Sequence, residues 1–351
     1  MKASRAAASR AVDRALAREW TPRLVALADR LRVVTRAALI AAIDSGKLEL
    51  LARQVSHGAG DVTFGLDVPA ELELDRWLDR TARRGPLSLL TEDAGWRHFG
   101  PGKRGKPVAR ADFDHGGPRI SVDPIDGTRV LMTDMRSAWS VIALAGPGQG
   151  PPRLSEVAVG VLSEIPDSRA ASFRRFSAAR GAGCLLVEHS LRNRPLRAPR
   201  RLTSGRDDRC DHGFYPFFRY AADQRPALAA IEAAFFARLA AREGAEVRAC
   251  YDDQYTSNGG QLALLALGSY RMIADLRAWH AAKRRRASIT SKPYDVAGAI
   301  LCAREAGCVV EAAEGGPLDF PLDAETPVSF VGWVNAATRK RLRKHLSAAM
   351  R

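Results

Sequence analysis

The stretch "RISVDPIDGTRV", residues 119–130, constrains this chain most, because it closes an apolar run with two carboxylates three residues apart. A strand ending at Asp123 projects one carboxylate into a cleft. Pro124 then restricts the chain, Ile125 leaves its backbone carbonyl available, and the turn returns Asp126 to the same place. Such an all-oxygen set suits a hard divalent cation such as magnesium far better than the thiol and imidazole chemistry of zinc. Gly127 permits a compact turn, the amides that follow can cradle a phosphate if they open a helix, and the Thr128 hydroxyl can orient water. Taken alone, the same stretch also reads as an Asx turn carrying a surface acid pair.

Other acids end apolar segments too. Glu92 in "LLTED" can join a metal shell, with Asp93 as a supporting acid, and Asp67 lies just before the helical segment "VPAELELDRWLDR". Asp295 in "KPYDVAGA" stands beside a helix N-terminus, where it can reach back toward the first acids or simply cap its own helix. A shared metal would explain why several carboxylates approach one another despite their repulsion.

The length of 351 residues allows two packed lobes, and 46% apolar with 26% charged residues is the balance of a folded protein. The 54 basic against 39 acidic side chains give a net charge of +15, which attracts phosphates or nucleic acid in general. No Cys/His finger spacing or aromatic RNA-binding signature accompanies it, so nucleic acid is not the expected partner. Five scattered cysteines form no close metal-ligand pair and fit a reducing cytoplasm. No stretch is apolar enough to span a membrane, and the first residues lack the apolar block of a secretion signal, so the expected location is cytoplasmic.

Residues 3–48 read as helix, with Leu24, Leu27, Leu31 and Val34 at helical spacing and a break into two helices at Thr21-Pro22. Residues 58–65 read as a turn-rich approach to a helix entered at Pro69, with Leu72, Leu74 and Leu78 available for packing. "LSLLTED", "PRISVDPID", "SAWSVIALA" and "EVAVGVLSEI" read as strands. The arginine- and proline-rich region from about 187 to 214 suggests a lobe boundary or an exposed insertion. Two lobes are therefore expected: an N-terminal α+β lobe over 1–186 with most of the acids, and a C-terminal α/β lobe over 187–351 with Asp295 and the substrate-selecting loops.

At this point the sequence resembles the magnesium-dependent inositol monophosphatase and fructose-1,6-bisphosphatase superfamily. "LDVPAE", "TED", "VDPIDGT" and "YDVAGAILCAREAG" carry the resemblance, with weaker support from "TSNGGQL" and "SFVGWVNAA". It implies an α/β layered sandwich of alternating helix and sheet layers, with a cleft between the lobes. It assigns Glu92, Asp123, the Ile125 carbonyl, Asp126 and Asp295 to two or three magnesium ions, and Asp67 and Thr128 to the network around the attacking water, Asp67 and Asp93 also approaching an additional ion. Gly127 and Thr128 would bind the phosphoryl group. The resemblance further implies a homodimer. Two departures stand out: Glu92-Asp93 where the family often has two glutamates, and Tyr294 where a tryptophan commonly precedes the later metal-binding Asp.

The resulting expectation is a phosphatase that hydrolyses a small sugar or inositol phosphate monoester. The alternatives are fructose-1,6-bisphosphate specifically, a nucleoside 3',5'-bisphosphate, and a non-catalytic basic nucleic-acid-binding protein. Gly259, Gly260, Gln261, Arg271 and Lys292 are the candidates for contacting the substrate. Asp252, Asp253 and the basic run Lys283–Arg286 are equally readable as solvent or fold contacts.

Overall fold

The computed structural model describes residues 2–57, 62–207 and 209–351; the turn expected over 58–65 lies partly outside them, at 58–61. The chain opens with a single helix, α1 (Lys2–Asp44), with Pro22 inside it rather than at a break. An interior proline costs about 3 kcal/mol in an isolated helix. Here Trp20, Leu24, Leu27 and Leu31 are buried on both sides of it, each worth roughly 1.5–3 kcal/mol when fully withdrawn from water. That burial keeps the helix continuous through the proline.

A short antiparallel hairpin, β1 (Gln54–His57) with β2 (Val62–Phe64), leads into α2 (Val68–Ala82). Pro69 occupies its first turn, Asp67 immediately precedes it, and Leu74 and Leu78 are buried while Leu72 is exposed.

Nine strands form the large sheet: β3 (Leu87–Thr91), β4 (Gly95–Pro101), β5 (Pro107–Ala109), β6 (Arg119–Asp126), β7 (Ala138–Ala145), β8 (Val157–Ile165), β9 (Ser172–Ala179), β10 (Gly183–Ser190) and β11 (Arg200–Leu202). Their spatial order is 11-10-9-8-7-6-3-4-5. Only β3 and β6 run parallel; the other neighbours are antiparallel. The boundary expected after residue 186 falls inside β10, and the sheet continues to Leu202. Polar, arginine-rich sequence suits an exposed edge strand as well as a linker, which is why composition suggested a boundary there.

After β6 comes one turn of helix, α3 (Thr128–Leu131). The second half contributes β12 (Gly213–Phe214), α4 (Arg225–Glu243), β13 (Cys250–Tyr251), α5 (Asn258–Ala266), β14 (Met272–Asp275), α6 (Arg277–Arg284), α7 (Pro293–Glu305), β15 (Val309–Ala312), β16 (Phe330–Trp333) and α8 (Ala336–Ala349). Strands β14, β16 and β15 form an antiparallel sheet in that order.

Side-chain alternation along the strands sets the layering. Leu89, Ile120, Val122, Ile142 and Val161 pack with α1 and α2, whereas Leu90, Val141, Ala143 and Leu162 face α5 and α7. On the far side of α5 and α7, Ile273, Val310 and Phe330 join the same core, while Met272, Val331 and Trp333 point outward to α4 and α8. The result is five layers, helix–sheet–helix–sheet–helix, which is the alternating sandwich the sequence implied. The large sheet and α7 meet closely at Gly298, where a Cβ would lie 2.2 Å from the Ile142 carbonyl oxygen.

Candidate active site

The large sheet loses its regularity at the end of β6. Its pairing with β7 runs from Arg119 to Asp123, slips, and resumes at Asp126 opposite Trp139. Pro124 has no N–H to offer the ladder, so the slip falls there. Both aspartates therefore line one cavity of about 740 Å³, together with Ile125, Gly127 and Thr128. Gly127 has φ +97°, and a Cβ at this position would stand 2.9 Å from the Ser257 Cβ, so both backbone and space require glycine.

Thr128 opens α3, with its Oγ1 2.9 Å from the Ile125 carbonyl oxygen and 2.9 Å from Asp67 Oδ1. Asp67 is fixed from the other side by the Phe64 N–H, which donates to Oδ2 at 2.7 Å. One helical turn later, Glu71 also lines the cavity, close to Asp93. Glu71 was missed in the sequence, although its spacing of four from Asp67 puts both on one face of α2. Glu92, following β3, lies beside the Tyr294 hydroxyl, so the departure from tryptophan sets a polar group of α7 against this carboxylate.

The second half supplies the opposite wall. The N-terminus of α5 grips Asp126: Ser257 Oγ donates to Oδ2 at 2.7 Å, the Gly259 N–H also donates to Oδ2, and the Asn258 N–H lies 3.2 Å from Oδ1. Asp295 sits in the first turn of α7, where its Oδ2 accepts the Lys292 N–H at 2.8 Å. Arg277, only 1% exposed, lines the same cavity. It is paired with the wholly buried Asp275 at 2.7 Å, donates to Ser291 Oγ at 2.8 Å and lies over the Tyr220 ring at 4.4 Å. Neither Tyr220 nor Arg277 carried a local motif that would have marked it.

Crowding of carboxylates dominates the electrostatics. Burial pushes Asp67 up to about 6, against the opposing hydrogen bonds from Phe64 and Thr128. Asp126 also rises to about 6 through burial, despite its three donors. Asp123 is raised well above the usual range by burial and then by Asp126, and Asp295 is raised by burial, with Asp126 and Glu92 adding to the effect. Glu71 reaches about 8 through burial and its neighbour Asp93. Among the described residues, no three or more Asp, Glu, His or Cys side chains converge closely enough to hold an ion as they stand. Each of Asp67, Asp123, Asp126 and Asp295 is turned to a protein donor instead, Asp123 Oδ1 accepting the Ile125 N–H at 3.0 Å. In type, an all-oxygen set of buried acids that repel one another fits a hard divalent cation.

The candidate substrate residues separate into two groups. Lys292 lines the cavity, its Nζ donating to the Glu325 carbonyl at 2.7 Å. Gly259, Gly260 and Gln261 are buried within α5 and stand off the cavity wall; a Cβ at Gly260 would come 2.3 Å from Tyr255 Cε1. Arg271 pairs with Asp207 at 2.7 Å, Asp253 with Arg136 at 2.7 Å, and Asp252 with Arg219, all away from the cavity, as is the run Lys283–Arg286. No helix among the described residues is long and apolar enough to cross a membrane.

No family model and no curated protein matches the chain by sequence. Solved structures match along nearly its whole length. A hypothetical protein of Pyrococcus horikoshii with similarities to inositol-1 monophosphatase aligns with TM-score 0.62 at 13% identity, covering 95% of this chain and 99% of that one. The holo fructose-1,6-bisphosphatase of Leishmania major aligns with TM-score 0.64 at 10% identity, covering 93% of each. The SuhB protein of Mycobacterium tuberculosis aligns with TM-score 0.55 at 16% identity, covering 92% and 93%. The five-layer sandwich of this chain is the fold of the inositol monophosphatase and fructose-1,6-bisphosphatase superfamily.

Proposed function

We propose that the chain is a magnesium-dependent phosphatase of small sugar or inositol phosphate monoesters. The observation that carries this reading is the convergence on one cavity of Asp67, Glu92, Asp123, Asp126 and Asp295, drawn from both halves of the chain, beside the Gly127-Thr128 turn. Glu92, Asp123, the Ile125 carbonyl, Asp126 and Asp295 would hold the magnesium ions, two or three in number, with Asp67 and Asp93 near an additional one. When bound there, magnesium would supply Lewis-acid polarisation and charge neutralisation for in-line displacement at phosphorus.

The chain's own groups do the rest. Thr128 Oγ1 can receive the attacking water's hydrogen bond while donating to Asp67, which orients a lone pair toward phosphorus and gives the proton a carboxylate to reach. The Gly127 and Thr128 amides would face the phosphoryl oxygens, whose charge the surrounding acids otherwise repel. As the new O–P bond forms, the ester O–P bond breaks; the attacking water's proton passes toward Asp67, and the departing alkoxide takes a proton from solvent water. Lys292 and Arg277, both on the cavity wall, supply positive charge for the remainder of the substrate.

A magnesium-supplemented phosphate-release panel tests the reading, with sugar monophosphates, fructose 1,6-bisphosphate, inositol phosphates and nucleoside 3',5'-bisphosphates as its arms. Turnover of a sugar or inositol phosphate that disappears on chelation is expected. A flat response across all four arms would overturn it.

A further inference from the structure

A second cavity, of about 450 Å³, lies between the middle of α1, Glu73 of α2 and the turn after β10, lined by Arg30, Arg32, Arg192 and Asn193. Its distinctive member is Arg32. The side chain is only 3% exposed, yet among the described residues it makes no ion pair. Its guanidinium lies over the Phe173 ring at 4.0 Å, makes one long contact of 3.4 Å to the Leu191 carbonyl, and leaves Nε without an acceptor.

Both acids at this cavity are already engaged. Asp29 accepts from Arg175 at 2.8 Å and from Asn193 at 2.7 Å, and Glu73 is paired with Arg80 at 2.7 Å and faces Arg30 and Arg76 at 3.8 Å. Burial, Arg175 and Arg36 all disfavour the charge on Arg32, with only Asp29 favouring it. Arginine does not lose its proton in proteins, so a buried excess of positive charge persists there. An unpaired buried cation is among the most costly arrangements a fold can keep. A dianionic oxyanion matches its planar donors.

We propose that this cavity is a second binding site, separate from the acid-lined cleft, for a phosphate-type oxyanion, free or carried on a small metabolite, with Arg32 as the group that holds it. The test is thermal denaturation of the full chain in excess chelator, so that the acid-lined cleft repels anions. Inorganic phosphate and glycerol 3-phosphate are titrated separately against chloride at equal ionic strength. A saturable rise in Tm of a few degrees is expected in wild type and in Asp123→Asn, lost in Arg32→Gln. Response to both probes identifies bare phosphate as sufficient; response to the ester alone identifies a carried phosphate. If Arg32→Gln does not fold, the double variant Arg30→Gln/Arg192→Ala, at two exposed positions, must weaken the response. A rise matched by chloride, absent in wild type, or unchanged in these variants overturns the proposal.

Discussion

The Thr128 hydroxyl touches two acceptors at once, Asp67 Oδ1 and the Ile125 carbonyl oxygen, each at 2.9 Å. With one proton to donate, it can satisfy only one of them at a time, and Asp67 is favoured whenever it is ionised. Thr128→Ala is therefore expected to lower phosphate release by about 10²-fold. Because the hydroxyl holds the pKa of Asp67 down, its removal should also move the acidic limb of the pH–rate profile to higher pH. Thr128→Ser should restore both. A rate loss with an unmoved profile would detach Thr128 from Asp67.

Asp123 and Asp126 look equivalent in sequence but have different surroundings. Asp126 accepts three donors from the start of α5, whereas among the described residues Asp123 accepts only the Ile125 N–H. Asparagine at 126 turns an amide N–H₂ against at least one of those donors, costing roughly 1–3 kcal/mol. Asparagine at 123 instead removes a charge that burial and Asp126 oppose. Both variants should lose more than about 10²-fold in magnesium-dependent turnover. In chelator, urea denaturation should find Asp123→Asn at least as stable as wild type and Asp126→Asn less stable.

Much of this arrangement was readable because its signals are local. The apolar run, the proline and the Gly-Thr turn of residues 119–128 occupy one segment, and the strand, its slip and α3 follow from them. What was not readable depends on distant partners. Pro22 stays inside α1 because a buried stripe outweighs a local rule, and β11 resembles a linker because edge strands tolerate charge. Gly259 and Gly260 looked like a substrate loop, but their lack of a side chain serves close packing against Val141, Leu162 and Tyr255 and delivers the Gly259 N–H to Asp126. Glu71 and Arg277 gain their place only once α2 and α6 are set against the cleft.

The raised acids make metal-free stability depend on pH with a definite sign. Asp67 and Asp126 at about 6 and Glu71 at about 8 hold protons more tightly than their unfolded forms, whose values are 3.8, 3.8 and 4.5. Their stabilisation is complete below the unfolded values and is lost as pH rises through the folded ones, between about 4 and 8. For Asp67 alone the change is on the order of 3 kcal/mol. In chelator, the urea midpoint should fall from pH 5 to pH 8, less steeply in Asp67→Asn. Added magnesium should flatten the decline by favouring the ionised acids. A midpoint that rises over this interval would contradict the acid cluster.

Tyr294 gives the departure from tryptophan a specific consequence, since its hydroxyl neighbours Glu92 on the cleft wall. Tyr294→Phe keeps the ring, which is 4% exposed, and deletes only the hydroxyl beside Glu92. The expected result is a higher magnesium requirement for half-maximal turnover with a nearly unchanged denaturation midpoint, since loss of a group that orients a ligand typically costs about 10–100-fold in metal affinity. An unchanged magnesium requirement would mean that the hydroxyl does not position Glu92.

The buried pair Asp275–Arg277 should be costly to break and cheap to remove as a unit. Among the described residues, Arg277→Met leaves Asp275, which is wholly buried, with only Ser291 Oγ and the residue 277 N–H as partners, and breaking such a pair typically costs about 3–5 kcal/mol. Arg277→Met/Asp275→Asn removes both charges and should recover most of that loss. Turnover should separate from stability: if Arg277 contributes charge to the cleft wall, the double variant should fold well but retain a raised KM for phosphate esters. A double variant that is both stable and kinetically normal would confine Arg277 to holding β14, α6 and Ser291 together.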